Sequence, residues 1–310
     1  MENPIRCLRL AEALIPYIPR YPETPRYFAS YDCPEPERKP DLDQPVRLSE
    51  GEWQRFVSQG MEPCPHSEYS VLTFPISDAL MALDRIVIHA VALRWRDKAW
   101  LICAKSGVGK STQARWLQKL RPGEFGVISG DRPILEFLPA RSDCHSERRK
   151  ESVPPCHSER SEESVPPCHS ERSEESVPPS PFAAAAIGRQ PPAPILVHPS
   201  PWNGKENWYG APAAPLAGVI LLERGEENKL CALSPWDAVI PLYTKLIQTT
   251  IDPELLVKAG KLEQRILNSV PVWRLVTEQV PASTQVLLES VFPSIPAQAE
   301  QGRQAEHEIP

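Results

Sequence analysis

The segment LICAKSGVGKST, residues 101–112, has the spacing of a loop that holds phosphate groups through its backbone amides. Gly107 and Gly109 permit the positive φ angles that such a loop requires, so that successive N–H groups can converge on an anion. Lys110 would reach the β- and γ-phosphates, and the hydroxyl of Ser111 would bind Mg²⁺. The residues predicted to bind the nucleotide are Ser106, Gly107, Val108, Gly109, Lys110, Ser111 and Thr112.

The elements on either side of this loop fit a phosphate-binding role. An apolar strand is predicted over 99–103 and a helix over 111–120. The helix would direct the positive end of its dipole at the phosphates. Ala104 stands where the usual pattern has its first glycine. The alternative interpretation is a chance Gly-Lys-Ser turn between a strand and a helix.

The strand that precedes the loop indicates the kind of sheet. Residues 86–93, IVIHAVAL, are mostly β-branched or apolar, and the polar stretch RWRDK separates them from the strand at 99–103. Two strands so close in sequence must be antiparallel, because a parallel pair needs a long crossover. The sequence therefore predicts an α/β fold with a mixed, partly antiparallel sheet and flanking helices. Ordinary P-loop nucleoside triphosphatases have a parallel sheet at this point.

A carboxylate follows the next predicted strand. Residues 126–129, GVIS, form this strand, and Asp131 lies just beyond its end. A carboxylate there can hold Mg²⁺ directly or through water. The alternative is a turn residue before Pro133. Arg132 and Arg224 are further candidates to line the site, with a solvated charge near a strand end as the alternative interpretation of each.

A second polar cluster follows at PWNGKE, residues 201–206. Gly204 allows a tight turn that would present Lys205, whose charge could neutralise phosphate. Glu206 could bind the metal. The alternative is a solvated turn anchored by neighbouring tryptophans.

Several of these stretches resemble the core of the HPr kinase/phosphorylase family, which shares its fold with phosphoenolpyruvate carboxykinases. The matching segments are IHAVAL, AKSGVGKST and VISGDRPIL. HPSPWNGKENW and PLAGVILLERGEEN look like the shorter, HPr-kinase-like bacterial branch. The resemblance covers about residues 85–139 and 195–290, and the EIRG-type signature of the classical kinase is absent.

The resemblance implies catalytic roles for particular residues. The family has a histidine on the strand before the loop and an Asp-Asp pair after it. His89, Lys110, Ser111 and Asp131 occupy the matching places, with Ser111 and Asp131 as metal ligands. Gly130 stands where the family has its first aspartate. Gly130→Asp is expected to raise turnover if the backbone geometry permits it. A lone histidine on an apolar strand can equally be a core residue.

These patterns predict an ATP-dependent kinase with Mg²⁺ as its metal and Asp131, His89 and Lys205 as catalytic residues. The acceptor would be a hydroxyl of a protein, a peptide or a small molecule. The alternative is a nucleotide-binding regulatory protein with weak or no transfer, which Gly130 favours. Carboxykinase-type decarboxylation ranks last, because no second metal-binding set is apparent. The sequence leaves open the acceptor and whether the chain forms a homo-oligomer.

Composition and charge limit the cellular location and the binding partners that can be expected. The net charge is -6 and the pI about 5.7, which argues against nucleic acid as a partner. No apolar run is long enough for a membrane span, and the N-terminus lacks the pattern of a signal peptide. Eight cysteines show no disulfide framework, so reduced thiols in the cytoplasm are expected.

A repeat interrupts the chain. The units CHSERRKESVPP, CHSERSEESVPP and CHSERSEESVPP fill residues 144–179, and their composition is that of disorder. A metal site on the Cys-His pairs is disfavoured, because their spacing is not that of preorganised zinc sites. The domain organisation predicted is a loosely defined α+β region over 1–84, a kinase-like domain over 85–292 interrupted at about 140–190, and a disordered tail over 293–310.

Overall fold

A computed structural model of the chain describes residues 3–139, 193–248 and 252–293. The three repeats and the tail beyond Pro293 lie outside these ranges. Residues 3–138 and 194–293 belong to one compact unit, and the predicted boundary at residue 84 falls within it. Within the described ranges, no helix is both long enough and apolar enough to span a membrane.

The described residues form strands and helices in mixed order along the chain. The strands are β1 (Arg6–Leu10), β2 (Ala13–Tyr17), β3 (Arg85–Val87), β4 (Ala90–Trp95), β5 (Lys98–Cys103), β6 (Phe125–Ser129), β7 (Ile134–Phe137), β8 (Ile195–His198), β9 (Ala214–Arg224), β10 (Lys229–Ala232) and β11 (Val272–Thr277). The helices are α1 (Glu50–Ser58), α2 (Pro65–Val71), α3 (Thr73–Ala82), α4 (Lys110–Leu120), α5 (Pro235–Tyr243), α6 (Pro253–Ser269) and α7 (Val280–Ser290). A 3-10 helix spans Thr24–Phe28.

Nine of these strands form one mixed sheet. Its main order is β3-β7-β8-β9-β5-β4-β6, and β11 joins β9 to β10. β4 and β5 form the predicted antiparallel hairpin, whereas β5 pairs with β9 in parallel. The prediction of an α/β fold with a mixed, partly antiparallel sheet is confirmed.

β9 is the strand at which this sheet branches, because it has three neighbouring strands. One edge of β9 pairs with β5. β8 pairs antiparallel with the first residues of β9, and β11 pairs in parallel with Val219 through Arg224. The eleven residues of β9 therefore serve three neighbours.

Both faces of the sheet are covered, which explains its nearly continuous apolar strands. On β4, Ala90 and Ala92 face a core that includes Leu242 of α5 and Ile266 of α6. Val91 and Leu93 face the opposite core, to which α4 and α7 contribute Leu117 and Leu287. The alternation along one strand thus separates two helical layers.

The predicted strand over 86–93 is interrupted at its centre. Ile88 and His89 lie between β3, which pairs with β7, and β4, which pairs with β5. Three consecutive amides bond to two separate segments. Those of Ile88 and Ala90 donate to the carbonyls of Pro133 and Asp131, and that of His89 donates to the carbonyl of Lys245. Because buried N–H groups need partners, this arrangement fixes the break.

Another difference concerns α5, because the apolar spacing of Ala238, Val239, Leu242, Leu246 and Ile247 in the sequence predicts a helix through Gln248. α5 ends at Tyr243, two residues after its internal Pro241. The carbonyl of Lys245 accepts a hydrogen bond from His89 instead of continuing a helical ladder. A tertiary contact therefore ends the helix earlier than its apolar pattern indicates.

The N-terminal region packs around a third core. This core contains Tyr17, Phe28 and Leu72, and it extends to Ile134 and Trp202. Glu68 of α2 is fully buried, and its carboxylate accepts hydrogen bonds from the amides of Arg20 and Tyr21 and from the Thr24 hydroxyl. These bonds fasten α2 to the chain that follows β2.

The repeat lies between two strands that pair with each other. β7 and β8 are antiparallel, with Phe137 opposite Ile195. The amide of Leu138 donates to the carbonyl of Pro194 at 3.3 Å. The two ends that the repeat connects therefore already meet as the open end of a hairpin.

We predict that replacing residues 142–180 with a short Gly/Ser linker leaves folding intact. The paired ends of β7 and β8 need only a turn, and a shorter loop costs less closure entropy. The melting temperature should stay within a few degrees of that of the full chain in differential scanning calorimetry. A loss of cooperative unfolding would contradict this expectation.

We predict that Glu263 makes stability depend on pH. Burial raises the pKa of this α6 carboxyl to about 7, partly offset by a hydrogen bond with the backbone of Tyr243. The folded chain thus holds the proton more tightly than the unfolded chain, and stability should fall as the pH rises from about 4.5 to about 7. The loss is on the order of 3 kcal/mol.

Glu263→Gln tests this by removing the ionisation while keeping the shape. Its melting temperature should exceed that of the native chain at pH 8 and approach it at pH 5. An equal difference at both pH values would show that the proton on Glu263 is irrelevant to folding.

Candidate functional site

The glycine-containing loop at 104–112 connects β5 to α4. Gly107 and Gly109 have φ angles of 78° and 120°, as the sequence required, and Gly109 caps the first turn of α4. Arg224, at the end of β9, donates to the carbonyl of Gly107 at 3.1 Å. The backbone of the loop is therefore held by glycine conformation and by a contact from the neighbouring strand.

A cavity of about 630 Å³, here called the loop cavity, opens beside this loop. Every residue predicted for the site borders it except Val108, whose side chain packs against the core between the sheet and α4. The predicted residues that line it are His89, Ser106, Gly107, Gly109, Lys110, Ser111, Thr112, Asp131 and Lys205. Gly130, Arg132, Gly204 and Glu206 complete the lining.

His89 lies between the two groups predicted to act on phosphate. Its Nε2 is 2.9 Å from Nζ of Lys110 and 3.3 Å from Oδ1 of Asp131. A deprotonated Nε2 accepts a hydrogen bond from the ammonium group, whereas a protonated Nε2 donates to the carboxylate. One nitrogen can satisfy only one of these neighbours at a time.

Asp131 is held from two sides. Its Oδ2 lies 3.3 Å from Nε of Arg132, whose Nη1 donates to the hydroxyl of Thr73 at 2.7 Å. Burial alone would raise the pKa of Asp131, but the hydrogen bond and charge of His89, together with the charges of Arg132 and Lys110, lower it overall. The carboxylate is therefore stabilised in its ionised form.

Lys110 lies at the start of α4 with only 9% of its surface exposed. Burial lowers the pKa of its ammonium group, and the negative charge of Asp131 opposes this effect. A buried cation beside backbone amides is a favourable environment for an incoming anion. The electrostatics thus agree with a phosphate-binding role for this cavity.

A side chain at Gly130, where the resembled family has the first aspartate of its pair, would collide with neighbouring backbone. A Cβ at this position would lie 2.7 Å from the carbonyl oxygen of Asn203 and 3.0 Å from Cβ of Trp208. The segment 203–208 therefore packs directly on the glycine. The condition under which Gly130→Asp is expected to raise turnover, that the backbone geometry permits it, is therefore not met, because the carbonyl of Asn203 would have to move.

The oxygen ligands around Asp131 suit a hard cation such as Mg²⁺. The Ser111 hydroxyl and the Asp131 carboxylate border the same cavity as Glu206. A Cβ on Gly204 would lie 3.6 Å from Cγ of Asp131 and 3.9 Å from Oε2 of Glu206, so the glycine keeps the space between the carboxylates open. Among the described residues, no three His, Cys, Asp or Glu side chains form a ready metal cluster.

The two arginines for which the sequence left a site role and a solvated role open both have definite contacts at the site. Arg132 joins Asp131 to Thr73, and Arg224 bonds to the loop. In the sequence, the position of Arg132 directly after Asp131 indicates a role at the site. Arg224 carried no local signal, because its contact depends on the pairing of β9 with β5.

Comparisons with known proteins add little to this geometry. No family model matches the chain, and no curated protein matches its sequence. The Hpr(Ser) kinase/phosphatase from Coxiella burnetii is a structural match with a TM-score of 0.25 and 9% identity, over 72% of this chain and 99% of that one. At this TM-score the likeness carries no argument, so the function must be argued from the site.

We predict that Gly130→Asp destabilises the fold. The new side chain must displace the 203–208 segment, and such overpacking typically costs about 1–3 kcal/mol. Gly51→Asp is the matched control, because a Cβ on Gly51 in α1 meets nothing within 4 Å. Chemical denaturation should detect the loss at position 130 and a change within about 0.5 kcal/mol at position 51. Equal stabilities would show that the segment yields without cost.

Proposed function

We propose that the chain is an ATP-dependent kinase that transfers the γ-phosphoryl group of Mg·ATP to a hydroxyl. The observation that carries this proposal is the convergence of Lys110, His89, Asp131 and Lys205 on the loop cavity. These residues come from four chain segments, yet each supplies a charge or proton suited to phosphoryl transfer. A chance Gly-Lys-Ser turn would give no reason for His89, Asp131 and Lys205 to line the same cavity.

In this mechanism the 104–112 loop is a P-loop that binds the β- and γ-phosphates through backbone amides. Lys110 turns from His89 toward the phosphate oxygens, which compensate its buried charge. Nε2 of His89 is then free to carry a proton and donate it to Asp131. Binding of the nucleotide would thereby orient the carboxylate through the histidine.

Asp131 and Ser111 would hold Mg²⁺, and Glu206 is close enough to assist. The bound ion would neutralise charge on the transferred group and the leaving group. The lowered pKa of Asp131 suits metal binding better than proton abstraction, because a weakly basic carboxylate is a weak general base. Transfer would therefore depend mainly on the positioning of the reactants and on charge neutralisation. Lys205, in the 201–206 segment, would neutralise part of the phosphate charge.

A second candidate is a regulatory protein that binds nucleotide without transferring phosphate. The close packing on Gly130 favours it, because no second carboxylate can occupy that position. Both candidates predict nucleotide binding at the 104–112 loop. Only the kinase predicts turnover that depends on Asp131.

Two variants separate binding from transfer. Lys110→Ala should weaken Mg·ATP binding at least tenfold in calorimetry, about 1.4 kcal/mol, because it removes the buried cation. Lys119→Ala, an exposed lysine in the same helix, should bind like the native chain. Asp131→Asn should lower ADP release far more than His89→Ala, because Asp131 would contact the metal or reacting group directly.

The outcomes discriminate clearly. Unchanged affinity in Lys110→Ala would refute nucleotide binding at this loop. Tight Mg·ATP binding without ADP release, from the native chain and with alcohols added, would favour the regulatory protein. Turnover that survives Asp131→Asn would show that another residue carries the reaction.

A further inference from the structure

A second cavity adjoins the loop cavity, with a volume of about 390 Å³. Asp131, Arg132, Gly204 and Lys205 border both cavities. The other walls differ: His66, Tyr69 and Ser70 come from α2, and Trp202 precedes the loop that carries Lys205. We call it the α2 cavity. Its volume lies within the usual range for small-ligand sites, about 300–1,000 Å³.

The α2 wall is built before any ligand arrives. His66, Tyr69 and Ser70 are spaced i, i+3 and i+4, which places them on one helix face. Tyr69 donates from its hydroxyl to the carbonyl of Pro201 at 2.6 Å, and Trp202 donates from its ring nitrogen to the carbonyl of Tyr69 at 3.1 Å. These reciprocal bonds hold α2 against the 201–205 segment, so the cavity is preorganised.

Arg132 connects this wall to the carboxylate. Its Nη1 donates to the carbonyl of Ser70 and to the hydroxyl of Thr73, while its Nε faces Asp131. A shift of α2 would therefore be transmitted to Asp131. The N-terminal region is joined to the site through a charged side chain and not only through apolar packing.

Phosphoryl transfer requires a donor and an acceptor to meet at one place. If the donor phosphates lie on the 104–112 loop, Asp131 stands at the border of their cavity and the α2 cavity. We propose that the α2 cavity binds the hydroxyl acceptor, an inference that rests on the proposed kinase function. The acceptor oxygen would form a bond to the γ-phosphorus as the bond to ADP breaks, and its proton would be released to solvent.

The walls define a class of acceptor. Arg132 and Lys205 are cationic and Asp131 is anionic, so the excess charge favours an acceptor with a neutral or anionic body. Tyr69 and His66 offer ring surfaces, and they lie 6.0 Å apart between centroids. The volume suits one aliphatic hydroxyl group on a small body, whether a free alcohol or a serine side chain.

A tethered hydroxyl tests this assignment without knowledge of the natural acceptor. Ser70→Cys and His66→Cys, labelled with 2-hydroxyethyl methanethiosulfonate, place an alcohol in the α2 cavity. Ser58→Cys, exposed on α1 and outside both cavities, is the matched control. Native cysteines carry the same label in every variant and serve as internal references.

After incubation with Mg·ATP, mass spectrometry should find a phosphoryl group on the tether at position 70 or 66, at least tenfold above position 58. Adding Asp131→Asn should abolish it. Competition by glycerol or by N-acetylserine amide would then identify a small alcohol or a peptide serine as the better acceptor.

Mg·ATP binding without phosphorylation at either tether would overturn the acceptor assignment and leave the nucleotide site standing. Absence of Mg·ATP binding in the unlabelled native chain would overturn the proposed function together with this inference. Equal phosphorylation at positions 58 and 70 would show that the α2 cavity confers no selection.

Discussion

The break between β3 and β4 is the constraint on which the site depends. At residues 88–90 three successive amides bond to two other segments, the 131–133 turn at two points and Lys245 just beyond α5. At this break the side chain of His89 lies close to both Lys110 and Asp131. The ladder hydrogen bonds that are lost where the strand ends are thus replaced by hydrogen bonds that also hold the segments of the site together.

The candidate residues follow a common electrostatic logic. Lys110 and Asp131 are both poorly solvated, and each lies near the histidine nitrogen that can satisfy only one of them. In the structure Lys110 contacts His89, and Asp131 contacts Arg132. An anionic ligand that attracts Lys110 would redistribute these partners. Binding of an anion at the loop would thus be coupled to the hydrogen bonding of the carboxylate through a single imidazole ring.

The sequence predicted the parts of the fold that local rules determine. The glycine spacing of the 104–112 loop, the hairpin of β4 and β5, and the strand before Asp131 follow from short patterns, and the structure has all three. The break at His89 and the early end of α5 could not be predicted, because each depends on a partner distant in sequence. The packing on Gly130 is also nonlocal, since Asn203 and Trp208 supply the contact. The α2 wall could not be predicted either, because Tyr69 and Ser70 belong to no sequence motif. Only the tertiary fold brings them to the cavity that Asp131 borders.

β9 gives the loop a dependence on strand register. Its last residue, Arg224, pairs with Thr277 of β11 and donates to the carbonyl of Gly107. A slip of one residue would turn every side chain of β9 to the opposite face. It would also bring Glu223 or Gly225 to the place of Arg224, exchanging a cation beside the loop for an anion or for no charge. The register of the sheet therefore decides whether β9 presents a cation, an anion or no charge beside the loop.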